Sequence, residues 1–172
     1  MELEALALKV GAALKARGLM LATAESCTGG WLAQEVTAIA GSSAWFERGF
    51  VTYANAAKEE MLGVPPETLA SFGAVSLETA GEMAAGAIRH SRADVASAIT
   101  GIAGPTGGSP DKPVGTVCFA WCRREGIPVA VKEVFEGDRA AVRRQAVARA
   151  LSGLLDLLEG SEGAALLAKS VP

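Results

Sequence analysis

Ser26 stands in Ala24-Glu25-Ser26-Cys27-Thr28-Gly29-Gly30, where a short apolar run gives way to a glycine pair. A hydroxyl placed where a strand ends and a helix begins faces oriented backbone N–H groups and the positive end of the helix dipole. Such donors suit an oxyanion or a phosphate, and residues 27 to 30 are the natural source of them. The blander reading is an ordinary Ser/Thr helix cap followed by a glycine turn. Cys27 is a second possible nucleophile, but no histidine stands in a promising context to activate it. Glu25 reads as an exposed strand-end carboxylate or as a group that orients a partner.

A serine needs a base. Val51-Thr-Tyr53-Ala-Asn55-Ala-Ala-Lys58 is again a strand end turning into a helix, with a phenol, an amide and an amine close together. Without histidine, a lysine whose pKa is depressed by burial can take a serine proton, and so can a tyrosine in a suitable field. Lys58 beside Glu59 and Glu60 also reads as a solvated surface charge.

Two further stretches look toward a ligand. The run from Thr100 to Pro113 carries Gly101, Gly104, Gly107 and Gly108, which permit close backbone approach, yet it fits neither the P-loop nor the dinucleotide fingerprint. A flexible surface connection is its plain reading; after a strand in an α/β sheet, such a loop also tends to line the ligand crevice. Arg139 and Arg143 lie one helical turn apart at the start of the last helix, where cations oppose the macrodipole. They read either as an anion site or as partners of acids such as Glu136.

Composition narrows the classes of function. The chain has 172 residues, half of them hydrophobic, and a net charge of -3, with no basic run to attract nucleic acid or an anionic membrane. A chain of this length buries roughly 70% of its unfolded surface, so one domain needs no staples. Three cysteines without a C-x-x-C pair argue against a disulfide framework and a thiolate zinc site, and Cys118 and Cys122 read as buried small hydrophobes. His90 is the single histidine, so a metal-dependent hydrolase lacks ligands. No basic leader or membrane-length apolar run is present, and the chain is expected to be cytoplasmic.

The elements that must position these residues follow from periodicity. Helices are expected over residues 3–17, from Gly29-Gly30 through Ile39, 55–62, 66–72, from a Ser76 cap onward, and from an Asp138 cap to about Leu158. Strands are expected over 19–24, 46–53, 95–100, 114–121 and 129–135. In the last helix Val147, Leu151, Leu154 and Leu158 form the apolar stripe, Arg143 and Arg144 flank its edges, and Arg149 points away. Helices alternating with strands, closed by a strand pair near Gly126, predict an α/β layered sandwich with a mixed sheet. Residues 1–159 read as a single domain and 160–172 as a frayed tail.

Taken in order, Ala24-Glu-Ser-Cys-Thr-Gly-Gly30, Tyr53-Ala-Asn-Ala-Ala-Lys58-Glu-Glu-Met-Leu-Gly-Val64, Thr100-Gly-Ile-Ala-Gly-Pro-Thr-Gly-Gly-Ser-Pro-Asp-Lys-Pro-Val-Gly-Thr116 and Gly137-Asp-Arg139 with Arg143 resemble the CinA C-terminal family, the nicotinamide-nucleotide amidohydrolases. The resemblance runs from the first helix to about residue 158. It implies a three-layer α/β/α sandwich and hydrolysis of nicotinamide mononucleotide to nicotinate mononucleotide and ammonia, with no cofactor and no metal. It maps the nucleophile on Ser26 and its partners on Tyr53 and Lys58. Substrate contacts are then expected from Cys27, Thr28, Gly29, Gly30, Asn55, Thr100, Gly101, Gly104, Gly107, Gly108, Arg139 and Arg143. Thr106 departs from the glycine expected in many members. The family domain often follows a second one, so the chain resembles the stand-alone form. The implied partner is a small-molecule nucleotide, not nucleic acid or a membrane; homo-oligomers are left open. The alternative is a nucleotide-binding regulatory or scaffold module without turnover, against which an intact Ser26, Tyr53 and Lys58 speak.

Overall fold

Helix α1 (Leu3–Arg17) buries Leu3, Leu6, Ala7, Val10 and Leu14, one stripe at helical spacing, and ends on Gly18 in the left-handed region. It leads into β1 (Leu21–Glu25), all five residues of which are buried. The computed structural model describes residues 2–160; the tail expected over 160–172 lies outside them except for Gly160. There follow α2 (Trp31–Thr37), β2 (Phe46–Val51), α3 (Asn55–Leu62), α4 (Pro66–Phe72), α5 (Leu77–Arg89), β3 (Val95–Gly101), β4 (Thr116–Arg123), β5 (Val129–Val134) and α6 (Arg139–Leu158). The two expected caps are present: Ser76 Oγ accepts from the Thr79 amide at 3.1 Å and Asp138 Oδ1 from the Ala141 amide at 2.9 Å.

The five strands form one mixed sheet in the order β2-β1-β3-β4-β5. β1 runs parallel to both neighbours, with Glu25 opposite Val51 and Ile99, whereas β4 is antiparallel to β3 and to β5. The chain leaves β1 toward β2 on one side and returns to β3 on the other. The C-terminal ends of β1 and β3 therefore flank a topological switch point, where α/β sheets open a crevice.

Two helical layers cover the sheet. Large side chains on one face (Leu21, Ile99, Phe119, Trp121) meet α1 and α6 through Val10, Leu14, Leu151 and Leu154. The other face is nearly all small, with Ala22, Ala24, Ala96, Ala98, Cys118, Ala120 and Cys122 against Met83, Ala84 and Ala87 of α5. Removing bulk there lets α5 lie close on the strands. All three cysteines are free and buried.

Three local expectations are corrected. α2 ends at Thr37 rather than running through Ile39, because the chain turns toward Gly41 and a short 3-10 turn at Ser42–Ala44. β2 ends at Val51, and the next carbonyls leave the ladder for a lysine. Arg149 does not point away: its side chain is 11% exposed, stacks 5.0 Å from the Trp121 ring centroid and pairs with Glu133. Its stem covers apolar surface while its charge is met on β5.

Trp121 is boxed in, stacked on Phe119 at 5.8 Å between centroids with its indole N–H donated to the Ala150 carbonyl at 3.0 Å. Gly153 is the notch in α6 that receives it: a Cβ there would come within 2.0 Å of the ring. Glycine to alanine in a helix gains about 1 kcal/mol in propensity, while overpacking a closed core costs ~1–3 kcal/mol. The ring has nowhere to go, so the second effect wins. Gly153→Ala is expected to lower the midpoint of thermal unfolding despite its better helix former; an unchanged or raised midpoint would show that Trp121 can move.

Candidate active site

β1 delivers two consecutive polar residues to opposite faces of the sheet. Glu25 is 1% exposed and Ser26 8%. The Ser26 amide extends the ladder by donating to the Ile99 carbonyl at 3.0 Å, and the Gly29 amide closes the following turn on the Ser26 carbonyl at 3.0 Å. The expectation of an exposed Glu25 is overturned. Its Oε1 accepts from Thr28 Oγ1 at 2.6 Å and from the Leu32 amide at 2.8 Å, and its Oε2 accepts from the Ala33 amide at 3.1 Å. Glu25 thereby satisfies the N-terminus of α2, whose own cap position is Gly30 and has no side chain to offer. The Leu32 and Ala33 amides are spent on this structural carboxylate and the Trp31 amide on the Thr28 carbonyl, so none of the three is open to a ligand.

Lys58 is the buried residue opposite Ser26. On α3 it faces inward and is 1% exposed, while Glu59 and Glu60 stay outside, so the solvated-charge reading fails. Its Nζ lies 3.0 Å from Ser26 Oγ, 2.8 Å from the Thr52 carbonyl and 3.2 Å from the Tyr53 carbonyl. As an ammonium it donates to all three. As a neutral amine it can keep both carbonyls and turn its lone pair to the serine hydroxyl. Burial pushes the Lys58 pKa below the ordinary lysine value, a shift that the nearby Cys27 opposes.

A cleft of about 310 Å³ opens above this pair. Of the expected site residues, Ser26, Cys27, Tyr53 and Lys58 line one side, Thr100, Gly101, Gly104 and Gly107 the other, and Arg139 the rim. Thr106 lines it as well, together with Ala74, Val75, Ile102 and Ala103, which the sequence did not single out. Thr100 is committed: its hydroxyl donates to the Ala74 carbonyl at 2.8 Å, tying the two walls together. Thr28, Gly29, Gly30, Asn55, Gly108 and Arg143 do not line the cleft. Thr28 is fully buried on Glu25, and Asn55 is exposed at the start of α3.

Two of the loop glycines are also required by packing. A Cβ at Gly101 would lie 2.8 Å from Val117 Cγ2, and one at Gly104 2.4 Å from Val114 Cγ1, with φ already at +83°. At these two positions glycine lets the loop pack on Val117 and Val114.

The remaining candidates separate cleanly. Burial pushes the Cys27 thiol up to about 11, so the thiolate needed for attack is scarce at neutral pH. Tyr53 is exposed, and its hydroxyl sits 3.3 Å from Arg139 Nη2, while Arg139 Nη1 donates to the Gly104 carbonyl at 2.8 Å. This bridge crosses the cleft mouth. Arg143 is turned away from it: Nε and Nη2 donate to the Cys27 and Thr28 carbonyls, each at 3.1 Å, and the guanidinium lies 5.5 Å from the Trp31 ring centroid. The two arginines do not form one anion site. Among the described residues no group of His, Cys, Asp or Glu could hold a metal ion, and no helix is long and apolar enough to cross a membrane.

Residues 3–158 match the CinA C-terminal domain family. The chain is 61% identical over 153 residues to the nicotinamide-nucleotide amidohydrolase PncC of Escherichia coli (strain K12), spanning 89% of this chain and 93% of that protein. It is 51% identical to PncC of Pseudomonas putida, over 88% and 94% of the two chains. Among solved structures it is similar to the competence/damage inducible protein CihA from Agrobacterium tumefaciens, with 50% identity, a TM-score of 0.87 and coverage of 90% and 94%. It is also similar to the competence damage-inducible protein A of Klebsiella pneumoniae subsp. pneumoniae MGH 78578, with 42% identity, a TM-score of 0.90 and coverage of 94% and 99%.

Glu25 accepts three hydrogen bonds in a buried place, so replacing one carboxylate oxygen by an amide turns an acceptor into a donor facing a donor. Glu25→Gln is expected to cost ~1–3 kcal/mol in urea unfolding, the penalty for a buried group left without its partner. A variant as stable as the wild type would show that the α2 terminus finds other acceptors.

Proposed function

Because the chain belongs to the CinA C-terminal domain family, we propose that it hydrolyses the carboxamide of nicotinamide mononucleotide to nicotinate mononucleotide and ammonia through an acyl-enzyme on Ser26. The observation that carries the reading is the buried Lys58 amine 3.0 Å from Ser26 Oγ at the floor of a cleft. The chain's 61% identity to a protein named as a nicotinamide-nucleotide amidohydrolase supplies the substrate class.

The steps balance without a cofactor. Neutral Lys58 takes the hydroxyl proton as Ser26 Oγ attacks the carboxamide carbon, and the tetrahedral oxyanion forms against backbone amides of the turn after Ser26. The expected set of donors at residues 27 to 30 is narrowed here, because the Gly29 amide already bonds to the Ser26 carbonyl. The protonated Lys58 gives its proton to the departing nitrogen, the C–N bond breaks and ammonia leaves. A water then loses its proton to Lys58, attacks the acyl carbon and releases the acid, returning Ser26 to its hydroxyl form. Lys58 rather than Tyr53 is assigned the base because the amine touches Ser26, whereas the phenol lies on Arg139. Arg139, exposed at the mouth and held on Gly104 and Tyr53, is assigned the substrate phosphate.

Purified protein is expected to release ammonia from nicotinamide mononucleotide with or without chelator. Ser26→Ala abolishes release, and Cys27→Ala leaves it within a few-fold of wild type. Burial lowers the Lys58 pKa, so deprotonation comes earlier than for a free lysine. The rate therefore rises with pH and levels off before the ordinary lysine range, and Lys58→Arg is inactive because arginine keeps its proton. A flat profile from about pH 6 to 9 with an active arginine variant would remove Lys58 from the mechanism.

Charge-assisted contacts to the phosphate contribute ~1.5–3 kcal/mol each, so the nucleotide should exceed its riboside by roughly ten-fold or more in kcat/KM. Arg139→Ala is expected to collapse that ratio toward one. If the ratio survives, the phosphate is bound elsewhere.

A further inference from the structure

The turn carrying Ser26 is short of intrinsic rigidity. It runs directly into Gly29 and Gly30, both at positive φ (60° and 103°), where glycine has more conformational freedom to lose than any other residue. The turn is braced from two sides. Beneath it, Glu25 holds the Thr28 side chain and the Leu32 and Ala33 amides of α2. On its outer side, Arg143 reaches from α6 across more than a hundred residues of sequence and donates through Nε to the Cys27 carbonyl and through Nη2 to the Thr28 carbonyl, both at 3.1 Å.

The brace is itself set. The Arg143 guanidinium stacks on Trp31, whose indole N–H is tied to Glu35 Oε1 at 2.8 Å and whose amide meets the same Thr28 carbonyl at 3.0 Å. The Ser26 carbonyl is taken by the Gly29 amide, so each carbonyl of Ser26, Cys27 and Thr28 has a donor. The amide of Cys27, on a residue that lines the cleft, makes no backbone hydrogen bond among the described residues. In a trans peptide the N–H of one residue points opposite the C=O of the residue before it. Arg143 on the Thr28 carbonyl therefore sets the Gly29 amide, that amide holds the Ser26 carbonyl, and the Ser26 carbonyl sets where the Cys27 amide faces.

Resting on the amidase reading, we propose that Arg143 is a positioning residue for catalysis: its grip on the Cys27 and Thr28 carbonyls holds the nucleophile turn so that Ser26 Oγ stays on Lys58 and the Cys27 amide faces the forming oxyanion. Arg143 reaches the reaction through the turn and does not touch the substrate. Its charge is also felt there, since it works against the upward shift of the Cys27 thiol. A planar fork suits the task, because one rigid group meets two adjacent carbonyls, which a lysine point charge cannot do.

The test compares the full chain as wild type, Arg143→Ala and Arg143→Lys with two readouts. One is steady-state ammonia release from nicotinamide mononucleotide and from its riboside. The other is the rate at which a phosphonofluoridate labels Ser26, the Oγ–P bond forming as fluoride and the hydroxyl proton leave, followed by intact-protein mass. In Arg143→Ala, kcat is expected to fall ~100-fold with KM within ~3-fold of wild type, the pattern of a group that acts in the transition state. The nucleotide-to-riboside ratio stays at its wild-type value, labelling slows by a similar factor, and Arg143→Lys recovers part of both.

A kcat within ~3-fold of wild type overturns the proposal. So does a raised KM with a collapsed ratio, which would put Arg143 on the phosphate. Labelling does not depend on the nucleotide: a wild type that is labelled yet releases no ammonia overturns the amidase reading, and the labelling rates still decide the role of Arg143. A wild type that does neither overturns both. If Arg143→Ala does not fold, Arg143→Lys carries the comparison. If neither variant folds, the residue serves the fold itself and the proposal is overturned.

Discussion

A primary amine is buried at the end of a β-sheet and met by three oxygens, none of which carries a formal charge: two backbone carbonyls and the Ser26 hydroxyl. Burying an ammonium is expensive unless it is compensated, and uncharged acceptors compensate it only in part. The usual escape is a shift of pKa toward the neutral amine, and that is the direction Lys58 takes. Much of the local structure answers to this group. β2 stops at Val51, and the two carbonyls that follow its last residue are the ones that receive the amine. α3 begins soon enough after the strand to bring Lys58 back over them within its first turn. A carboxylate partner would hold the lysine charged, and the hydroxyl would then lack a base.

The fold was largely legible in the sequence because its signals are local. Periodicity, breaks and caps marked each α-helix and strand among the described residues but not the 3-10 turn at Ser42–Ala44, and the Ser76 and Asp138 caps are where their side chains predicted. Among the boundaries that moved, that of β4 did so for a non-local reason: the strand begins only after Gly115, whose amide bonds to Ile102 and whose carbonyl receives the Phe135 amide. The sequence pointed to residues that the fold brings to one cleft, such as Ser26, Tyr53, Lys58, Thr100 and Arg139, but also to Asn55, Gly108 and Arg143, which lie off it, and it did not show their division of labour. Lys58 is embedded in charged sequence and still faces inward, because helical spacing turns it away from Glu59 and Glu60. The capping role of Glu25 was not among its two sequence readings, since the helix it caps starts several residues later, outside the range of capping patterns. Arg139 and Arg143 share a helix face by spacing, yet each is drawn to different carbonyls, on Gly104 and on the Cys27–Thr28 turn. Only the tertiary placement of those carbonyls separates them.

α6 therefore does two things with one surface. Its apolar stripe packs on the sheet, with Trp121 seated at Gly153 and Ala150. Its first two turns attach by guanidinium groups to the segments that follow β3 and β1, at Gly104 and at the Cys27–Thr28 turn. An arginine at a helix start works against the macrodipole. Here each guanidinium is satisfied by backbone carbonyls whose partial negative charge offsets that penalty, and Arg143 gains further from the face of Trp31. The adverse dipole is tolerable because these cations do not rest against their own helix end.

Strand alternation explains how one short motif holds both a brace and a nucleophile. Successive residues of β1 face opposite layers, so Glu25 goes to the α2 side and Ser26 to the α3 side. Moving the motif by one residue would exchange them, leaving a carboxylate beside Lys58 and a hydroxyl under α2. The register is pinned by the parallel ladder, with Glu25 opposite Ile99 and the Ser26 amide on the Ile99 carbonyl. Past the ladder the alternation ends, and Cys27 enters a turn where burial keeps its thiol protonated. The choice of serine over cysteine as the attacking group follows from position: the ladder aims Ser26 at the amine, and the next residue has already lost that direction.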